Sequence, residues 1–186
     1  SLRTITSTSF NSDYAYGDIM SGSYPLSASI TRNFFSSSAQ SRPQLDALKN
    51  TMNFYRPNSE HYAYSSSFED GWNKSTQKVN LISIPSIFYG SQIKKGSLEL
   101  NFYVSGTLIG TLKDETRNGT LIQTGPEGSN GSGSVAGVAL YNEGFLMLTG
   151  SWDLTSGQHT EGYNTSDSDT TPNWLKFACG AQDGIT

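Results

Sequence analysis

Residues 97–104 read Ser-Leu-Glu-Leu-Asn-Phe-Tyr-Val, an unbroken alternation in which Leu98, Leu100, Phe102 and Val104 share one side and Ser97, Glu99, Asn101 and Tyr103 the other. A period of two fits a β-strand with one buried face and no other regular structure. Ser105-Gly106 follows as a turn, and residues 107–115, TLIGTLKDE, return. Asn118-Gly119 is the strongest short hairpin signal in the chain. TLIQT, SVAGVALY and FLMLTGSWDL then read as further strands, the last two separated by the glycine-containing turn Asn142-Glu143-Gly144. Short strands at roughly ten-residue spacing predict an all-β protein, an antiparallel β-sandwich or a jelly-roll-like domain.

One segment breaks this rhythm. In SRPQLDALKNTMNFY, residues 41–55, Leu45, Leu48 and Met52 recur at helical spacing. Ser41 is a candidate cap and Pro43 suits a first turn, so a short helix is expected near 43–54, ended by Arg56-Pro57. Upstream, PLSASITRNFF alternates Leu26, Ala28 and Ile30 against Ser27, Ser29 and Thr31 and reads as a half-buried strand. Residues 1–24 are rich in Ser and Thr and have no apolar period. They read as an extended N-terminal arm, with 25–186 as a single β-rich domain. Aromatic residues make up 12% of the chain, too many for the usual disordered segment.

Charge narrows the function classes. Only 15% of residues are charged, the net charge is −4, and the only adjacent pair of basic residues beyond isolated ones is Lys94-Lys95. A nucleic-acid partner bound through a basic face is not expected. No apolar run reaches the roughly 18 residues that span a bilayer, so no membrane partner is expected, and no signal-peptide pattern opens the chain.

The glycine-rich stretch 124–144 poses a sharper question. Gly131, Gly133 and Ala136 match a dinucleotide-binding pattern, and Asp153 lies about twenty residues on. That chemistry needs a helix after the loop, whereas Val135, Val138 and Leu140 read as a strand. The expectation is a loop and no cofactor. Its length and composition suggest a contact surface formed by Gly125, Gly128, Asn130, Gly131 and Gly133. The arm tyrosines Tyr14, Tyr16 and Tyr24 are the matching candidates at the other end of the chain. A long Gly/Ser loop loses conformational entropy on ordering, and a neighbouring subunit would supply the restraint.

Other constellations are weaker. His61 and His159 lack the close-spaced partner that zinc sites use, and no metal is expected. Asp167 and Asp169 have a calcium-like spacing without the further oxygens of such a loop. Cys179 cannot form an internal disulfide, being the only cysteine, and reads as a buried inert thiol. Trp72, Trp152 and Trp174 suggest a sugar-stacking platform, against a reading in which Trp152 fills the core from a strand while Trp72 and Trp174 lie in or beside loops. Sequons at Asn73, Asn118, Asn130 and Asn164 are what an Asn- and Ser/Thr-rich chain produces by chance. No catalytic set emerges, so no enzymatic activity is expected.

Two stretches, GDIMSGSYPLSASITRNFF (17–35) and the segment 84–154 from IPSIFYG to GSWDL, resemble virion structural proteins of tailed bacteriophages of the marine and cyanobacterial type. The resemblance implies a structural place in a virion (capsid, neck, tail or baseplate), with copies of the same chain and other virion proteins as partners. It carries no active site with it. The alternative is a carbohydrate-binding or receptor-recognition domain of a phage tail, with a glycan as ligand.

Overall fold

A computed structural model of the chain describes residues 30–36, 41–65, 73–104, 106–154 and 171–178. The expected arm, 1–24, lies outside them, as do Leu26, Ala28, Trp72, His159, Asp167, Asp169 and Cys179. Among the described residues seven strands are present: β1 Thr31–Phe35, β2 Val79–Ser83, β3 Glu99–Val104, β4 Thr107–Lys113, β5 Thr120–Gly125, β6 Val135–Leu140 and β7 Phe145–Leu148. All pair antiparallel in one sheet of order β1-β2-β7-β6-β5-β4-β3. The protein is all-β with one short helix, α1, Pro43–Tyr55.

The sheet is curled, and its contacts require it. Asn80 on β2 donates to the carbonyls of Trp174 (3.1 Å) and Phe177 (2.9 Å), and Arg32 on β1 donates to that of Leu175 (2.9 Å). The Trp174 ring meanwhile lies 5.8 Å from that of Phe102 on β3, and β4 makes room for it at Gly110, where a Cβ would sit 2.7 Å from the indole. In a flat sheet β2 and β3 would be about 24 Å apart. The turn Trp174–Lys176 that touches both rises only about 6 Å. The two ends must therefore fold toward each other, with residues 171–178 filling the gap.

Both faces are covered. One carries a cluster centred on Ile82, Phe102, Leu112, Leu121, Leu148 and Trp174. The other packs Leu45, Leu48 and Met52 of α1 against Val79, Leu81, Leu140 and Met147. Neighbouring residues of β2 and β7 thus enter opposite clusters: Leu81 and Met147 one, Ile82 and Leu148 the other. That explains the unbroken apolar run of β7, Phe-Leu-Met-Leu, since a strand covered on both faces loses its alternation. The edge strand β3 keeps its alternation because Glu99, Asn101 and Tyr103 face solvent.

Several local expectations change. Helix α1 begins at Pro43, but Ser41 does not cap it; Arg42 occupies the cap position without a side-chain cap bond. The buried Arg42 guanidinium instead donates to the carbonyls of Lys74 (2.9 Å) and Gln77 (2.7 Å). The strand expected from residue 25 is described from Ile30, and β1 begins at Thr31. Asn118-Gly119 lies at the end of a longer β4–β5 connection, 114–119, rather than forming a tight turn on its own. The cause is Asp114, 1% exposed, whose carboxylate accepts from the Gly96 and Gly119 amides and the Tyr141 hydroxyl. Gly119 has φ +89°, and a Cβ there would overlap the Tyr62 hydroxyl. Finally, β7 stops at Leu148 because the next two amides, Thr149 and Gly150, turn back to the Ala136 carbonyl. Trp152 consequently lies beyond the strand.

Candidate functional site

Three places could carry chemistry or contact. The first is the glycine-rich connection 126–134, between β5 and β6. No crossover helix follows it, since Val135–Leu140 is strand β6, in agreement with its sequence. Side chains of the same chain bond to it. Gln123, fully buried, donates through Nε2 to the Ser129 hydroxyl (3.0 Å) and the Asn130 carbonyl (2.7 Å). Its Oε1 accepts from the indole N–H groups of Trp152 (2.7 Å) and Trp174 (2.9 Å). Asn130 Nδ2 donates to the Asp153 carbonyl at 2.7 Å. Gly131 has φ +81°, and a side chain there would collide with the Trp152 indole. Bonds within the chain therefore reach this loop: one buried amide and one indole hold it. Gly128, Asn130 and Gly133 are exposed, while Gly125 and Gly131 are half-buried. Tyr14, Tyr16 and Tyr24 lie outside the described residues.

The same bonds decide the tryptophans. Trp174 is fully buried and is no exposed loop ring. Trp152 is half-buried, with its N–H committed to Gln123. Two of the three rings expected for a sugar platform thus serve the interior.

The second place is a cavity of about 110 Å³ bordered by His61, Lys74, Gln77, Gly137, Val138 and Thr149. Lys74 is 4% exposed, and its ammonium donates to the carbonyls of His61 (2.8 Å) and Ala63 (2.6 Å). Burial brings the lysine down to about 8. Burial, aided by the Lys74 charge, brings the His61 imidazole down to about 4, so it is neutral at physiological pH. Lys74 ties the turn 59–63 to residues 73–77, and this clamp accounts for its position. Among the described residues no group of His, Cys, Asp or Glu could hold a metal ion, and no helix is long and apolar enough to cross a membrane.

The third place is the long connection from β2 to β3, residues 84–98. A groove of about 340 Å³ is lined by Ile84, Phe88, Tyr89, Ile93, Lys94 and Leu98 among others. Ile87, 75% exposed, and Phe88, 45% exposed, form a ridge on the 3-10 turn Ser86–Phe88. Lys94 is exposed in its lining, the exposed Lys95 beside it reaches over the Tyr141 ring at 5.7 Å, and Arg117 lies against Gly96. The groove ends at Leu98, where edge strand β3 begins. Sequence reasoning passed this surface by. Its signal was an apolar run, Ile87-Phe88-Tyr89, set between Pro85 and Gly90 with neither helical nor strand period. No protein-family model, curated protein or solved structure matches this chain.

Proposed function

We propose that this chain is a non-enzymatic structural subunit of a bacteriophage virion, working through repeated contacts with copies of itself and with other virion proteins. The observation that carries the reading is the exposed apolar ridge of Ile87 and Phe88 beside the groove at an open sheet edge. Apolar surface gathered next to an edge strand is the usual mark of a protein-contact face. The resemblance of residues 17–35 and 84–154 to phage structural proteins supplies the setting. The test is symmetry-resolved imaging of purified particles, combined with mass spectrometry of their components. The chain is expected in many copies at symmetry-related positions in the capsid, neck, tail or baseplate. Its absence from intact particles, or its presence only at trace levels, would refute the reading.

A further inference from the structure

The cavity at Lys74 is built around a charge that its surroundings leave unbalanced. The Lys74 side chain is buried, and its ammonium donates to two carbonyls, those of His61 and Ala63. A lysine ammonium has a third N–H to give, and the clamp on the turn 59–63 leaves it unused. Carbonyl dipoles ease the charge without neutralising it, and among the described residues no carboxylate pairs with Lys74. A cation withdrawn from water without an anion is costly, which is why buried charges are ordinarily paired.

The space it lines is polar on one side and apolar on the other. Lys74 borders the cavity, and so does His61, whose carbonyl its Nζ holds. Gln77 and Thr149 border it too, both half-buried, and neither side chain makes a hydrogen bond within the described residues. One amide and one hydroxyl donor are thus uncommitted. The His61 imidazole, neutral at pH 7, brings no second charge. Val135 and Val138 supply an apolar wall. One positive charge, two neutral donors and two valines around about 110 Å³ suit a small, singly charged anion with an alkyl end. Phosphate and sulfate fit poorly, since they carry more charge than one ammonium balances and would press oxygens against the valines. We propose that this cavity binds a small aliphatic carboxylate, with its oxygens on Lys74, Gln77 and Thr149 and its alkyl end against Val135 and Val138. The site is separate from the contact face at 84–98 and stands whether or not the chain is a virion subunit.

Acetate is the probe. Amide NMR of the full chain is followed at pH 7, where Lys74 is charged, as sodium acetate replaces sodium chloride at constant ionic strength. Saturable shifts centred on Lys74, Gln77, Val138 and Thr149 are expected. A ligand this small binds weakly, so a Kd on the order of 1 mM is expected. Thr149→Val and Gln77→Leu change half-buried positions and should each weaken acetate about threefold to tenfold, with Thr149→Ser restoring the parent value. Lys74→Met should abolish binding; if it does not fold, the other two variants carry the test. Phosphate and sulfate should bind at least about tenfold more weakly than acetate. Shifts that fail to saturate would mean that the cavity holds only water, and the proposal would fall. It would fall equally if Thr149→Val and Gln77→Leu both bound acetate as the parent does, or if phosphate matched acetate at the same residues.

Discussion

At the scale of single residues, the interior is specified by a few buried polar groups. Gln123 joins two indoles to the glycine-rich loop, Asp114 gathers two amides and a phenol, and Asn80 and Arg42 each hold two or more carbonyls. None of this was legible in the sequence. A lone Gln or Asn in a strand looks the same whether it faces water or anchors a distant loop, because its partners lie far away along the chain. Lys74 is the member of this set whose role can be read by titration. Its folded value of about 8 lies below the free lysine value of 10.5, because burial disfavours the charged form. Between these two values the unfolded chain binds more protons than the folded one, so stability rises with pH across that window. The full gain is present above 10.5 and is lost as pH falls toward 8. A shift of this size corresponds to about 3 kcal/mol at most. Tyr62, Tyr64 and Tyr141, raised chiefly by burial, act the other way once free tyrosine ionises near 10. The clean interval is therefore pH 8 to 9.5. Urea unfolding there is expected to show parent stability rising relative to Lys74→Met; parallel profiles for the two proteins would rule out a depressed lysine.

At the scale of elements, legibility followed exposure. The two faces of strand β3 were readable because one of them is open: Phe102 is 4% exposed and Tyr103 57%, although the strand begins at Glu99 rather than Ser97. Helix α1 was readable because Leu45, Leu48 and Met52 bury a single stripe. Strand β7 gave only an apolar run, since both of its faces are covered, and its end was set by the bonds of Thr149 and Gly150 to the Ala136 carbonyl, which no local pattern encodes. The faces of β3 can be checked directly. Phe102 packs on Trp174 and Phe177, with ring centroids 5.8 and 5.4 Å away. Replacing it with Asp removes those contacts and strands a charge in the core, so a loss above about 4 kcal/mol is expected. Tyr103→Asp, on an exposed edge position, should cost no more than about 1 kcal/mol. Thermal unfolding of the two variants separates these outcomes, and similar losses would mean that something covers the outer face of β3 as well.

At the scale of the whole molecule, the decisive element is the shortest one. Residues 171–178 connect the β2 end of the sheet to its β3 end, and without them the curl has nothing to close on. From sequence alone Trp174 reads as a ring in or beside a loop, because a three-residue turn has no period to read and its partners lie far along the chain, Gln123 among them at 51 residues. Gly110 is the complementary trace: a glycine in the middle of a strand marks a close approach, and here the approaching group is the Trp174 indole. If this segment acts as a joint, its two attachments are coupled. Trp174→Ala removes a fully buried indole and should cost about 3–5 kcal/mol. Asn80→Ala strips the donor from the Trp174 and Phe177 carbonyls and should cost about 1–3 kcal/mol. Once Trp174 is gone the segment no longer has to stay in the gap, and its carbonyls can find water instead of Asn80. The double variant should therefore be less destabilised than the sum of the single ones, by more than the roughly 0.5 kcal/mol within which independent sites add. Urea unfolding of all four proteins gives this difference. Strict additivity would mean that the segment is held at each end independently, and that the sheet keeps its curl through strand twist alone.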